Sequence, residues 1–260
     1  MMDFQINELR GKLARPIDIL VNTQDERWYK MKETLKSQEY PWKPSVTSVI
    51  SSVLNKGRGF EMWLGNQPSY KIACQERDDS AKLGTAVHEA CERYLKGKIV
   101  NGGGCEWEDE FNKRMMQFEH WVNSFKPEVI TQEYQMYHPD VPFSGTPDIV
   151  AYIPEHGLCL IDIKTGAPYE NHELQLTCYK MLWDTLFPDT PITNIYGLYL
   201  KGNWISKVEP NFKKYKYVPE VVDHIVGVWR WIHSETGPKG RKPVKTIFKL
   251  KKELADEDNL

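Results

Sequence analysis

The sequence has no long apolar run. Its longest, Ile149–Ile153, is five residues, whereas a membrane-crossing helix needs about 20, so no membrane partner is expected. The opening stretch, MMDFQINELRGKLARP, lacks the apolar segment of a secretion signal. Cysteine is scarce: five residues, at 74, 91, 105, 159 and 178, with no CxxC pair. An odd number without a secretion signal predicts reduced thiols in a cytoplasmic setting. No GxxxxGK[ST] loop occurs, so the chain is not expected to use ATP. Repeats and low-complexity tracts are also absent. Nine tryptophans and 12% aromatic residues exclude a disordered chain.

What is present amounts to one good core or two small ones in 260 residues. The net charge of −2 conceals an asymmetry. Residues 201–252 carry 13 Lys/Arg against 4 Asp/Glu, a surplus of nine, which leaves 21 basic and 32 acidic side chains elsewhere. A basic C-terminal section on an acidic body suits a polyanion, and a solvated face would read the same way.

Periodicity divides the chain into a helical N-terminal section, residues 1–125, and a core of strands and helices, residues 126–260, within one structural domain. Residues 24–38 read as a polar helix. Thr47 is placed to cap a helix ending at Leu54. A further helix, capped by Asp79 or Ser80, runs to Leu95 with Leu83, Val87, Ala90, Cys91, Tyr94 and Leu95 on one stripe. Another spans about 106–124. The period then changes. Residues 130–138 alternate as a strand, and 145–153 and 158–164 form two more around a hairpin signal at Pro154-Glu155-His156-Gly157. A helix over 171–187, a strand over 194–200 and a late helix over 218–233 complete an α/β pattern.

The chemistry-bearing residues gather on the hairpin. Asp162 and Lys164 are two apart in an apolar strand and so point to one face. Unpaired burial of either is costly, so they pair with each other or serve a site. Asp148 lies on the preceding strand. If the turn pairs Ile153 with Leu158, Asp148 opposes Ile163 and faces away from Asp162. A bulge or an odd number of loop residues corrects the parity, and Pro147, which has no N–H for the ladder, points to a bulge. Two neighbouring carboxylates repel, and a divalent cation relieves the repulsion. Oxygen ligands suit Mg²⁺ or Mn²⁺, and an imidazole favours Mn²⁺. His88, at the edge of its helix's apolar stripe, can supply one. Gln175 and Tyr179 are four apart and share a helix face.

Taken in order, Gly84-x-x-x-His88, Gly145-x-Pro147-Asp148, Asp162-x-Lys164-Thr165 and Gln175-x-x-x-Tyr179 resemble the motifs of the PD-(D/E)XK nuclease superfamily. The match is to its RecB-like exonuclease branch, which includes lambda exonuclease, the CRISPR-associated RecB-like nucleases and the mitochondrial genome-maintenance exonucleases. The resemblance spans about residues 44–200 and includes the opening Pro44-Ser45-Val46-Thr47 stretch. It implies a restriction-endonuclease-like core, a central mixed sheet flanked by helices. It also implies that His88, Asp148 and Asp162 bind Mg²⁺ or Mn²⁺ with the Ile163 carbonyl, that Lys164 orients or deprotonates the attacking water, and that Gln175, Tyr179 and Thr165 position substrate or phosphate. Relatives with an iron–sulfur cluster hold it on clustered cysteines. None follows Cys178 here, so no cluster is expected.

The resemblance further implies a metal-dependent DNA exonuclease acting from ends, on single-stranded DNA or resected ends. Phage or bacterial recombination or repair is the expected setting, and a single-strand-annealing or recombination protein a fitting partner. A structure- or site-specific endonuclease on the same core and a non-catalytic DNA-binding module are the alternatives. The basic section interleaves Trp204, Phe212, Tyr215, Tyr217 and Phe248, which would stack on bases or, for Phe212 and Phe248 above all, fill the core.

Overall fold

The computed structural model describes residues 2–13, 17–22, 26–31, 42–54, 57–100, 107–201 and 210–233. The order is α1 (Met2–Lys12), β1 (Ile17–Asn22), β2 (Arg27–Met31), β3 (Lys43–Pro44), α2 (Val46–Val53), α3 (Gly57–Gly65), α4 (Tyr70–Leu95), α5 (Glu108–Phe125), β4 (Glu128–Gln132), β5 (Ile149–Ile153), β6 (Gly157–Lys164), α6 (Asn171–Leu186), β7 (Asn194–Tyr199), β8 (Asn211–Tyr215) and α7 (Pro219–Ile232). The fold is α/β. A five-stranded mixed sheet, β4-β5-β6-β7-β8, has one parallel pair, β6 and β7, joined through α6; β1–β3 form a small separate sheet.

Alternation along the central strands builds two apolar layers. Odd positions such as Ile149, Ile161 and Ile163 pack with Val87 and Cys91 of α4 and Phe118 and Trp121 of α5. Even positions such as Val150 and Leu160 pack with Leu176, Leu182 and Trp183 of α6 and with Val49 and Ile50 of α2. Strands buried on both faces read as continuous apolar runs, as Ile149–Ile153 does. The apolar stripe expected on α4 lies in the first layer, with Leu83, Tyr94 and Leu95 partly buried beside Val87, Ala90 and Cys91.

Several boundaries differ from expectation. Ser69, not Asp79 or Ser80, caps α4, its side chain accepting from Ile72 N–H, so the helix is 26 residues long. Ser45 rather than Thr47 caps α2, accepting from Ser48 N–H. In the expected polar helix 24–38, residues 27–31 are strand, because Trp28 and Tyr29 are buried against neighbours that the local sequence does not show; 32–41 lie outside the described residues. The expected strand 130–138 stops at Gln132, where Glu133 adopts φ 49°, and the one expected from 145 begins at Ile149. β8 was not anticipated, since its sequence, NFKKY, is mostly polar and its strand lies at the sheet edge.

The hairpin is the correction that matters for chemistry. The β5–β6 ladder is regular and has no bulge. Ile153 pairs with Gly157, not Leu158, and the register runs to Ile149↔Ile161. Pro154, Glu155 and His156 form a three-residue turn, with Glu155 at φ 65° and Gly157 at φ 75°. The odd turn supplies the parity change, and one step beyond the last pair Asp148 lies across from Asp162. The bulge sits one strand over, between Val129 and Thr131 in the β4–β5 pair.

Candidate active site

The segment 144–148 is held from three sides before it delivers Asp148. Val46 N–H donates to the Ser144 carbonyl and Ser144 N–H to that of Pro44, both at 2.9 Å. Gly145 bridges to Met136, and Tyr29 Oη meets Thr146 Oγ1 at 3.2 Å. Gly145 must be glycine for a further reason: a Cβ there would lie 2.4 Å from Cε1 of Tyr179. On the other side, a Cβ on Gly84 would meet Thr165 Oγ1 at 3.3 Å, so α4 approaches the end of β6 one turn before His88.

Two groups of side chains meet at the Asp148/Asp162 register pair. In the first, His88 Nδ1 lies 3.3 Å from Asp148 Oδ1, and one ligand atom each of His88, Glu133 and Asp148 lies within 4.8 Å of the others. Glu133 reaches this point because its positive φ ends β4 and its N–H donates to the Asp148 carbonyl at 3.0 Å. Asp148 Oδ2 accepts the Ile163 N–H at 2.5 Å, just where β5 no longer faces β6.

In the second group, Lys164 Nζ lies 2.5 Å from Asp162 Oδ2 and donates to Gln175 Oε1 at 2.9 Å. Gln175 Nε2 donates to Asp162 Oδ1 at 3.3 Å and to Tyr179 Oη at 3.0 Å. Asp162 and Tyr179 are buried. Lys164 and Asp162 thus form a buried ion pair that the Gln175 amide bridges.

Electrostatics separates the acids. Burial alone would raise Asp148, but His88, then Lys164 and the Ile163 N–H, hold it below the ordinary carboxylate range. Asp162 is held above that range by burial, reinforced by Asp148 and opposed by Lys164. Glu133 is pushed up to about 8 by burial and the Asp148 charge. Burial disfavours the His88 imidazolium, but Asp148, Asp162 and Glu133 outweigh it and raise His88 to about 9. Lys164 is likewise disfavoured by burial but raised by Asp162 and Asp148, so in the metal-free protein it is a charged donor.

The donor chemistry fits a divalent cation. An imidazole and two carboxylates converge, and burial together with the Asp148 charge pushes one of the acids, Glu133, up to about 8, a strain that a cation between them relieves.

No family model matches the chain, and no curated protein does. Among solved structures, the chain is similar to an alkaline exonuclease (LHK-Exo) from Laribacter hongkongensis. Identity is 11%, the match covers 74% of this chain and 86% of that one, and the TM-score is 0.40.

The structure brings His88, Asp148, Asp162, Lys164, Gln175 and Tyr179 into one connected set, with Ile163 joining through its amide. Thr165 sits beside Gly84. Asp162 is outside the three-residue donor group, and Glu133, which the motifs do not single out, is in it. Its one sequence signal is that it is the only acid between Glu128 and Asp140, and that signal is faint in a stretch that reads as continuous strand. Of the aromatics in the basic section, Phe212 stacks on Tyr196 with centroids 4.2 Å apart and Tyr215 is buried, while Tyr217 is exposed. Trp204, Phe248 and most of the basic residues lie outside the described residues.

Proposed function

We propose that this chain is a metal-dependent nuclease that hydrolyses phosphodiester bonds of DNA from its ends. The observation that carries the reading is the meeting of a His–Glu–Asp donor group with an Asp–Lys–Gln–Tyr chain across one register pair at the end of a central strand. His88, Glu133 and Asp148 are the residues to hold Mg²⁺ or Mn²⁺, with Asp162 and the Ile163 carbonyl completing the set. A cation there supplies Lewis acidity, acidifying a water and offsetting the charge of the phosphate.

The rest falls to the chain's own side chains. Asp162 fixes the position and charge of Lys164, whose free N–H bonds orient the nucleophile or bind a phosphate oxygen. Gln175, steadied by Tyr179, locks both partners so that little rearrangement accompanies reaction. The basic section recruits the polyanion.

The test uses 5′- and 3′-end-labelled linear single and double strands and a closed single-stranded circle, in Mg²⁺, Mn²⁺ or EDTA, beside Lys164→Ala. Metal-dependent loss of the linear strands alone, abolished by Lys164→Ala, is the expected result, and label order gives the polarity. Cutting of the circle makes the protein an endonuclease. Binding without cutting in every metal makes it a DNA-binding module.

A further inference from the structure

Beside Lys164 lies a polar chain that the site above does not use. β7 reads Tyr196-Gly197-Leu198-Tyr199, and a glycine in the middle of a buried strand marks a close approach. A Cβ at Gly197 would lie 2.7 Å from Cε2 of Tyr199 and 3.0 Å from its hydroxyl. The Tyr199 ring therefore lies back over Gly197. Tyr199 pairs in register with Lys164 on the neighbouring strand. Its hydroxyl meets Tyr215 Oη at 2.5 Å and His172 Nδ1 at 2.7 Å.

One arrangement of the hydrogens in this chain accounts for all three contacts. The Tyr169 N–H points at His172 Nδ1 from 3.3 Å, and a backbone N–H can only donate. Nδ1 is then an acceptor, Tyr199 donates to it and Tyr215 donates to Tyr199, leaving the imidazole hydrogen on Nε2. The charges that bear most on the ring are those of Lys164 and Lys213. Lys213 Nζ sits 4.5 Å above the Tyr215 ring, and Glu173, on the same turn of helix, is engaged by the Lys216 N–H at 3.0 Å.

We propose that His172 Nε2–H and Lys213, flanked by Lys164, form a second anion subsite that takes the phosphodiester next to the one hydrolysed, with Tyr199 and Tyr215 as positioning residues. This rests on the nuclease reading above. Burial, Lys164 and Lys213 lower His172 to about 4, so it meets the strand as an uncharged N–H donor. One neutral donor and one ammonium match the single charge of an internal phosphodiester better than the double charge of a terminal phosphate. Gly197 is in the sequence because the tyrosine that aims the imidazole needs its space.

The experiment uses single-stranded oligonucleotides in which one uncharged methylphosphonate is moved linkage by linkage, each made with and without a 5′-phosphate. Cleavage is followed in Mn²⁺, and binding by fluorescence anisotropy in EDTA. In the unmodified protein, a methylphosphonate at the linkage beside the cleaved one should raise Kd and KM about tenfold, the scale of one hydrogen bond to a charged group. In His172→Ala that penalty should fall to within about twofold, since the partner is already gone. Tyr199→Phe, which keeps the ring over Gly197, should reduce the penalty to about threefold. A penalty of full size in His172→Ala, or one that follows the 5′-phosphate instead of the internal linkage, would overturn the proposal. If the unmodified protein cuts nothing, the nuclease reading falls, and the binding measurements in EDTA still decide the subsite.

Discussion

The two halves of the site share one register pair yet are satisfied in opposite ways. The Asp162–Lys164–Gln175–Tyr179 half is closed on itself: the acid has its ammonium, the amide bridges both, and the phenol takes the spare N–H. The His88–Glu133–Asp148 half has one imidazole for two carboxylates, and the surplus appears as a glutamate that holds its proton to about pH 8. A self-neutralised group is tolerated inside the fold without help, whereas an acid surplus becomes favourable only when a cation arrives. The first half is a fixed instrument and the second a concentration of donors that positive charge would stabilise.

The sharpest way to break that comparison is by rate. Asp148→Ala and Lys164→Ala should each lower hydrolysis of linear single strands in Mn²⁺ by about 100-fold or more, because each removes a group that acts at the reacting phosphate. Stability should then separate the halves. Lys164→Met strands a buried carboxylate and should cost about 3 kcal/mol in urea unfolding. Glu133→Gln replaces a carboxyl that is protonated below about pH 8 with a neutral group of the same shape and should not destabilise the metal-free protein, so a large loss there would merge the two halves into one.

Metal addition makes the converse measurement. At about 100 times its dissociation constant, Mn²⁺ should stabilise the protein by about 2.7 kcal/mol, read as a rise in Tm. Glu133→Gln should shrink that rise more than Asp162→Asn does. Gly145→Ala places a methyl group against the Tyr179 ring and should cost about 1–3 kcal/mol through overpacking, seen in thermal melts.

The smallest effect concerns pH. Folded His172 takes a proton only near pH 4, while the unfolded side chain takes it near 6.5. Its neutral form therefore contributes stability that is complete above pH 6.5 and is lost as pH falls towards 4, an effect that solvent screening at this partly exposed ring keeps small. His172→Gln should flatten that limb of the urea midpoint against pH and leave the midpoint's behaviour above pH 7 unchanged.

Much of this arrangement is legible in the sequence, and the exceptions have physical causes. Asp162 and Lys164 share a face because strand periodicity is fixed, and Gln175 and Tyr179 because helix periodicity is. Whether Asp148 joins them depends on one residue of turn length, and Pro154-Glu155-His156-Gly157 is compatible with either register. Glu133 was invisible because its place depends on where β4 stops, which is decided by hydrogen bonding to Asp148 and not by propensity. Residues 27–31 look helical alone and become strand because Trp28 packs near Trp229, 201 positions away in the chain, with ring centroids 6.1 Å apart. Tyr199 and His172 carry no motif, and only the fold shows that they meet, with the Tyr199 ring in the space over Gly197.

The three-residue turn has a consequence for how this protein tolerates change. It lies five ladder steps from Asp148, about 17 Å along the strand. Surface turns usually accept insertions and deletions freely. Here a substitution at Pro154 or Glu155 leaves the register intact, but adding or removing a single residue rotates every side chain of one strand relative to the other and carries Asp148 to the opposite face. A scan of length variants would therefore find a position that is permissive to spelling and intolerant of punctuation, far from any residue that touches substrate.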